Sequence, residues 1–134
     1  MQFYSTNRKT SPVSLREAVV RGLAADRGLF MPEVIRRFPP AFYQNMKEMT
    51  LREISFVVAE AFFGEDVEAG KLKEIVDETL NFDIPLVQVA DNRYSLELFH
   101  GPTLAFKDVG GRFMARMLSY FLGRGGDRVT VLVA

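Results

Sequence analysis

Residues 96–114 read Leu96-Glu97-Leu98-Phe99-His100-Gly101-Pro102-Thr103-Leu104-Ala105-Phe106-Lys107-Asp108-Val109-Gly110-Gly111-Arg112-Phe113-Met114. How this stretch is parsed decides the fold. Tyr94, Leu96 and Leu98 alternate as residues on one side of a strand do. The loop His100–Thr103, with Gly-Pro at its centre, interrupts that pattern. Phe106, Val109, Phe113, Met117 and Phe121 then recur at three- and four-residue steps, which predicts a helix over about 106–122. A strand followed by a loop and a long amphipathic helix is the opening of an α/β unit.

On the C-terminal side, Gly123, Gly125 and Gly126 break the helix. The segment Gly-Arg-Gly-Gly-Asp lacks the spacing of a phosphate loop and precedes a strand rather than a helix, so it reads as a turn. Val129, Val131, Leu132 and Val133 form a nearly continuous apolar run, suited to a central parallel strand covered on both faces. Nothing after Ala134 covers that strand. The chain is therefore expected to be part of a longer protein, truncated inside a parallel-sheet domain. Its uncovered edge is expected to drive self-association.

On the N-terminal side, Leu86, Val87 and Val89 pair with the 94–98 stretch across Asp91–Asn92 to make a hairpin. Upstream of Pro85 the patterning is helical. Ser14 with Glu17 and Thr50 with Glu53 have the spacing of capping boxes. They predict helices over 15–24 and from Leu51 to a stop at Gly64. Leu72, Ile75, Val76 and Leu80 mark a further helix, with Asp66 near its start. Pro39–Pro40 suit the start of a short helix containing Phe42 and Met46. Phe3–Ser5 suits a short strand, and Leu29–Pro32 suits either a strand or a buried loop. The expected architecture is α/β: a mostly helical unit over residues 1–90, followed over 91–134 by the beginning of a parallel-sheet domain.

Composition bounds the function. The 134 residues contain no Cys and one His, which excludes disulfides, thiolate metal sites, Cys nucleophiles and a His-based metal cluster. Seventeen basic and 17 acidic residues leave no net charge, so nothing favours nucleic acid or an anionic membrane surface. No apolar run is long enough to span a bilayer, and the N-terminus has no secretory h-region; a cytoplasmic setting is expected. Charge is unevenly spread, at +4 over residues 1–40, −7 over 41–100 and +3 over 101–134. The acidic middle suits solvated helix faces, and the basic end suits an anionic small ligand.

Lys107 stands at the start of the predicted helix. The positive helix end disfavours an ammonium there, and apolar Leu104, Ala105 and Phe106 would add desolvation. A lysine that loses its proton readily is what Schiff-base chemistry needs. A solvated surface lysine is the alternative. Gly110–Gly111 inside a helix costs about 1 kcal/mol per glycine relative to Ala, which is tolerated where a flat ligand or a neighbouring helix comes close. Thr103 suits a cap or a ligand contact, and His100 suits a structural role as readily as a chemical one. Met114, Met117 and Phe121 read as core.

The segment His100–Phe113, H-G-P-T-L-A-F-K-D-V-G-G-R-F, resembles the cofactor-lysine segment of threonine synthases, pyridoxal-phosphate enzymes of the tryptophan-synthase β-subunit type. Tyr4–Ser5–Thr6, the helix Val13–Leu23 and Gly28–Leu29–Phe30–Met31–Pro32 resemble the same family, and residues 33–90 do so only loosely. The resemblance implies that Lys107 carries pyridoxal 5'-phosphate covalently and moves protons at the substrate carbons. Phe106 and Thr103 would flank the cofactor, and His100 and Asp108 would lie toward the substrate. The implied reaction is that of a carbon–oxygen lyase in threonine biosynthesis, converting O-phospho-L-homoserine and water to L-threonine and phosphate. The family's phosphate-gripping loop follows the strand at 129–134. This piece alone is accordingly expected to be inactive and without cofactor. A related lyase or dehydratase of the same fold, and a non-catalytic interaction domain, are the alternative readings.

Overall fold

The N-terminal strand recruits two partners that lie well beyond it in sequence. In the computed structural model, which describes residues 1–123 and Thr130, β1 (Gln2–Ser5) pairs antiparallel with β2 (Val13–Ser14) and β3 (Phe30–Pro32). The sheet order is β2-β1-β3. Side chains alternate across a strand, and here Phe3 and Ser5 share the buried face. Pro32 is accommodated because β3 is an edge strand.

Helix α1 (Leu15–Arg21) follows β2 directly, and Ser14 Oγ caps it by accepting the Glu17 N–H at 3.2 Å. The reciprocal half of the expected box is not made, because Glu17 instead pairs with Arg21 at 3.0 Å. The helix also stops three residues short of the predicted end. Gly22 closes it at φ 71°, a left-handed conformation that glycine adopts without steric cost.

Helix α2 (Pro40–Asn45) starts at the proline pair and runs into a 3₁₀ turn at Met46–Glu48. Helix α3 (Leu51–Phe63) carries both halves of its capping box, Thr50 Oγ1 accepting from Glu53 N–H and Glu53 Oε2 accepting from Thr50 N–H. Helix α4 (Ala69–Thr79) is capped by Glu68, which accepts the Gly70 N–H at 3.1 Å. Its outer face carries the Lys71–Glu74 and Lys73–Asp77 pairs. These account for part of the acidic middle of the chain as solvated surface.

Strands β4 (Leu86–Ala90) and β5 (Arg93–Leu96) form the expected hairpin, with Leu86 opposite Leu96 and an irregularity between Gln88 and Ala90. Asn92 takes φ 56° at the turn, as Asn does more readily than most residues. Strand β5 ends at Leu96, so Leu98 is outside it. The hairpin stands clear of the core: Leu86, Val87, Val89, Tyr94 and Leu96 are all exposed.

Helix α5 (Lys107–Leu122) returns to the N-terminal unit and completes its core. Phe3, Leu15, Ala18, Ala59, Val67, Leu72, Ile75, Val76, Leu80 and Met117 are buried together. The Phe63 and Phe113 rings, from α3 and α5, lie 5.5 Å apart. Met117 belongs to this core as expected, and Phe121 packs against it. Met114 does not, being 50% exposed. It shares a helix face with Met117, three residues on, but stands at the edge of that face, where packing no longer covers it. Both sheets among the described residues are antiparallel. The parallel strand expected at 129–134, its unfinished edge, and the turn at Gly125–Gly126 fall outside the described residues.

Candidate active site

The loop between β5 and α5 is wound tightly before it delivers Lys107. Leu104 N–H donates to the Gly101 carbonyl at 3.0 Å, Asp108 N–H to Ala105 at 3.1 Å and Val109 N–H to Phe106 at 3.2 Å. Leu104 sits at φ 57°, an unusual conformation for a residue with a bulky side chain. Lys107 is the first helical residue and Asp108 the second.

Successive residues point to different sides of the helix, and the two diverge fully. Lys107 is exposed, whereas Asp108 is 5% exposed and is the only buried ionisable side chain among the described residues. Asp108 Oδ2 accepts the Thr103 backbone N–H at 2.9 Å. Gly101 is buried directly against the same carboxylate. A Cβ at position 101 would collide with Asp108 Oδ2 and approach its Cβ and Cγ to 2.8 Å. The aspartate is thus turned inward to its own loop.

Lys107 shares its face of α5 with Gly110, Gly111 and Met114, at helical offsets of three, four and seven. All four are exposed. No heavy atom lies within 4 Å of where a Cβ would stand on either glycine. Neither glycine is there to admit a neighbouring helix among the described residues. The pair instead leaves a bare strip of backbone one turn along from the amine. The apolar screen expected around Lys107 is not present: Leu104 is 74% and Phe106 66% exposed.

His100 lies apart from this face. Its Nε2 is 2.7 Å from Glu97 Oε2, and its ring stacks on Phe99 at 4.7 Å. It lines an open recess of about 740 Å³ together with Thr50, Arg52, Phe82, Ile84 and Pro85, to which Lys107 does not contribute. The structure therefore joins Thr103 to Asp108 and leaves His100 and Lys107 in separate surroundings.

Among the described residues, Arg112 and Arg116 of the last block do not converge on an anion either. Arg112 donates to the Glu78 carbonyl at 2.6 Å and to Asn81 Oδ1 at 2.8 Å, and Arg116 pairs with Glu78 at 2.7 Å. Both tie α5 to the end of α4, where the helix carbonyls favour a cation. Sequence reasoning missed Gly101 and Glu97. The three-residue spacing of Glu97 and His100 was a usable sign of the second, but nothing local announces the first.

In the described residues no group of three or more His, Asp or Glu is placed to hold a metal ion, and no helix is long and apolar enough to cross a membrane. A family model described as "Threonine synthase N terminus" matches residues 2–80. The chain is 40% identical over its whole length to threonine synthase of Haemophilus influenzae, covering 31% of that protein. The fold is similar to the crystal structure of threonine synthase from Escherichia coli, with TM-score 0.86 and 37% identity over 92% of this chain and 29% of that one. It is likewise similar to PLP-bound threonine synthase from Brucella melitensis, with TM-score 0.88 and 34% identity over 96% of this chain and 29% of that one. The chain thus spans about a third of the length of the relatives it matches.

Proposed function

The chain belongs to the threonine synthase N-terminus family, and from that membership we propose that it is the first part of an enzyme converting O-phospho-L-homoserine and water to L-threonine and phosphate. The observation that carries the reading is the exposed Lys107 amine beside the bare Gly110–Gly111 strip. An accessible primary amine with open space one turn along the helix suits the aldehyde of pyridoxal phosphate in chemistry and leaves room for its ring.

When bound, the cofactor would act as the electron sink for the carbon chemistry. The chain's own residues would do the rest. Lys107 Nζ would hold the cofactor through its aldehyde carbon, yield to the substrate amine, and then take and return protons at the substrate carbons. In the net change the γ C–O bond breaks and phosphate leaves, the γ carbon gains a proton, and the β carbon exchanges one of its hydrogens for the hydroxyl of water, whose other proton leaves with the phosphate. Gly110 and Gly111 would leave room for the ring, with Thr103 and Phe106 flanking the lysine. His100, held by Glu97, would stand toward the substrate side.

On this reading residues 1–90 are the N-terminal domain and 91–134 begin the cofactor domain, which agrees with a family match over 2–80. Helix α5 would then join the two through the core face that carries Met117. The working compartment would be the cytoplasm. The whole protein is expected to release phosphate from O-phospho-L-homoserine only with pyridoxal phosphate present, and to form threonine in equal amount. Phosphate release without threonine would favour a lyase, and no release would overturn the reading.

A further inference from the structure

A carboxylate with almost no access to water, on the residue after an exposed lysine, calls for an explanation, since burying a charge is costly unless it is compensated. Asp108 is compensated unusually. A carboxylate in the first turn of a helix ordinarily stays at the surface, near the free N–H groups of that turn. Asp108 reaches back instead to the Thr103 amide, five residues upstream. The Gly101 backbone lies directly on it, in space that no other residue type leaves free. Between these two points the chain makes the Gly101–Leu104 turn and holds Leu104 at φ 57°. Such a conformation persists only where the surroundings hold it. Asp108 supplies that hold.

We propose that Asp108 is a positioning residue for Lys107: by gripping the Thr103 amide and seating Gly101, its carboxylate closes the 101–106 loop and sets where the Lys107 backbone enters α5. This rests on Lys107 being the cofactor lysine. Lys107 and Asp108 share a peptide unit, so the inward anchoring of one fixes the outward aim of the other. On this assignment Asp108 acts through the Thr103 amide and Gly101 rather than on cofactor or substrate. The arrangement also gives Gly101 a stated reason: any side chain there would evict the carboxylate.

The test uses the whole protein and pyridoxal phosphate as the probe. After borohydride reduction, peptide mapping measures the label on Lys107 against Lys9, Lys47, Lys71 and Lys73, and hydrogen exchange is followed over residues 101–106. Asp108→Ala is expected to lower the Lys107 label at least tenfold and to speed exchange in the loop, leaving the other lysines unchanged. Asp108→Asn keeps an oxygen that accepts the Thr103 N–H, and is expected to stay within twofold of the unsubstituted protein on both readouts. Gly101→Ala displaces the carboxylate without removing it and is expected to behave like Asp108→Ala; it decides the matter if Asp108→Ala does not fold. Unchanged labelling in Asp108→Ala or in Gly101→Ala, or an Asp108→Asn variant as impaired as Asp108→Ala, overturns the proposal alone. Absence of label from Lys107 in the unsubstituted protein overturns the cofactor reading and takes this proposal with it.

Discussion

The Ser5 hydroxyl, on a side chain with no exposed surface, donates to Asp26 Oδ1 at 2.5 Å, tying β1 to the loop before β3. The same carboxylate accepts the Gly28 N–H at 3.0 Å and, through its other oxygen, the Lys9 N–H at 2.9 Å. The Ser5 bond foremost, with the backbone bonds from Gly28 and Lys9, holds the Asp26 carboxyl below its ordinary value against an opposing desolvation. A depressed folded-state value stabilises the fold above the unfolded carboxylate value of about 4, and that contribution is lost as pH falls through the folded-state value.

Thermal unfolding measured from pH 7 to pH 2 is therefore expected to fall most steeply below about pH 4. Asp26→Asn is expected to be less stable than the parent at pH 7 and to lose less on acidification. Parallel curves for the two proteins would remove Asp26 from the acid response.

Met117 is the point at which α5 enters the N-terminal core. Its side chain is buried with Leu72 and Leu15, and residues this enclosed leave cavities when truncated. Met117→Ala is expected to cost about 2–5 kcal/mol in chemical denaturation. Met114→Ala, on the exposed face, is expected to change stability by less than about 0.5 kcal/mol. Equal costs for the two would mean that the faces of α5 are assigned the wrong way round.

The two expected capping boxes differ in the structure and are expected to differ in mutation. Thr50→Ala, which removes the oxygen receiving the Glu53 N–H, is expected to destabilise by about 1 kcal/mol. Glu53→Ala removes a second bond at the same cap, whereas Glu17→Ala removes only an exposed pair with Arg21. The order of loss should be Glu53→Ala above Glu17→Ala. Melting temperatures that reverse it would refute the half-formed box at α1.

Gly110→Ala and Gly111→Ala set stability against the proposed chemistry. Each glycine is helical, with open space where a methyl would go, so alanine is expected to raise stability by about 0.5–1 kcal/mol. If the strip receives the cofactor, the same change is expected to lower threonine formation in the whole protein. More stable variants with full activity would place the cofactor elsewhere.

Lys107→Ala is expected to abolish turnover and the borohydride-trapped label while leaving unfolding within about 0.5 kcal/mol of the parent. Lys107 is exposed, so its truncation removes no core packing among the described residues. A label that stays on the protein at Lys9, Lys47, Lys71 or Lys73 would show that a different lysine is used.

By itself the sequence determined what depends on neighbours along the chain. The Thr50 cap, the period of α3, α4 and α5, the glycine stop at Gly64, the hairpin across Asp91–Asn92 and the motif around Lys107 are all local patterns. Each is set by hydrogen bonds or side-chain spacing within a few residues. Tertiary structure decided which face of each element meets something. Periodicity placed Met114 and Met117 on one stripe, and only packing against α1 and α4 separates them. Proximity in sequence grouped Thr103 and His100 with Lys107, and only the wound loop decides that Asp108 turns inward to Thr103, Lys107 outward and His100 toward Glu97. The partnership of Ser5 with Asp26, and the close fit of Gly101 on Asp108, join residues whose pairing leaves no periodic trace. Such contacts depend on how the backbone closes in three dimensions, and a one-dimensional pattern does not carry that information.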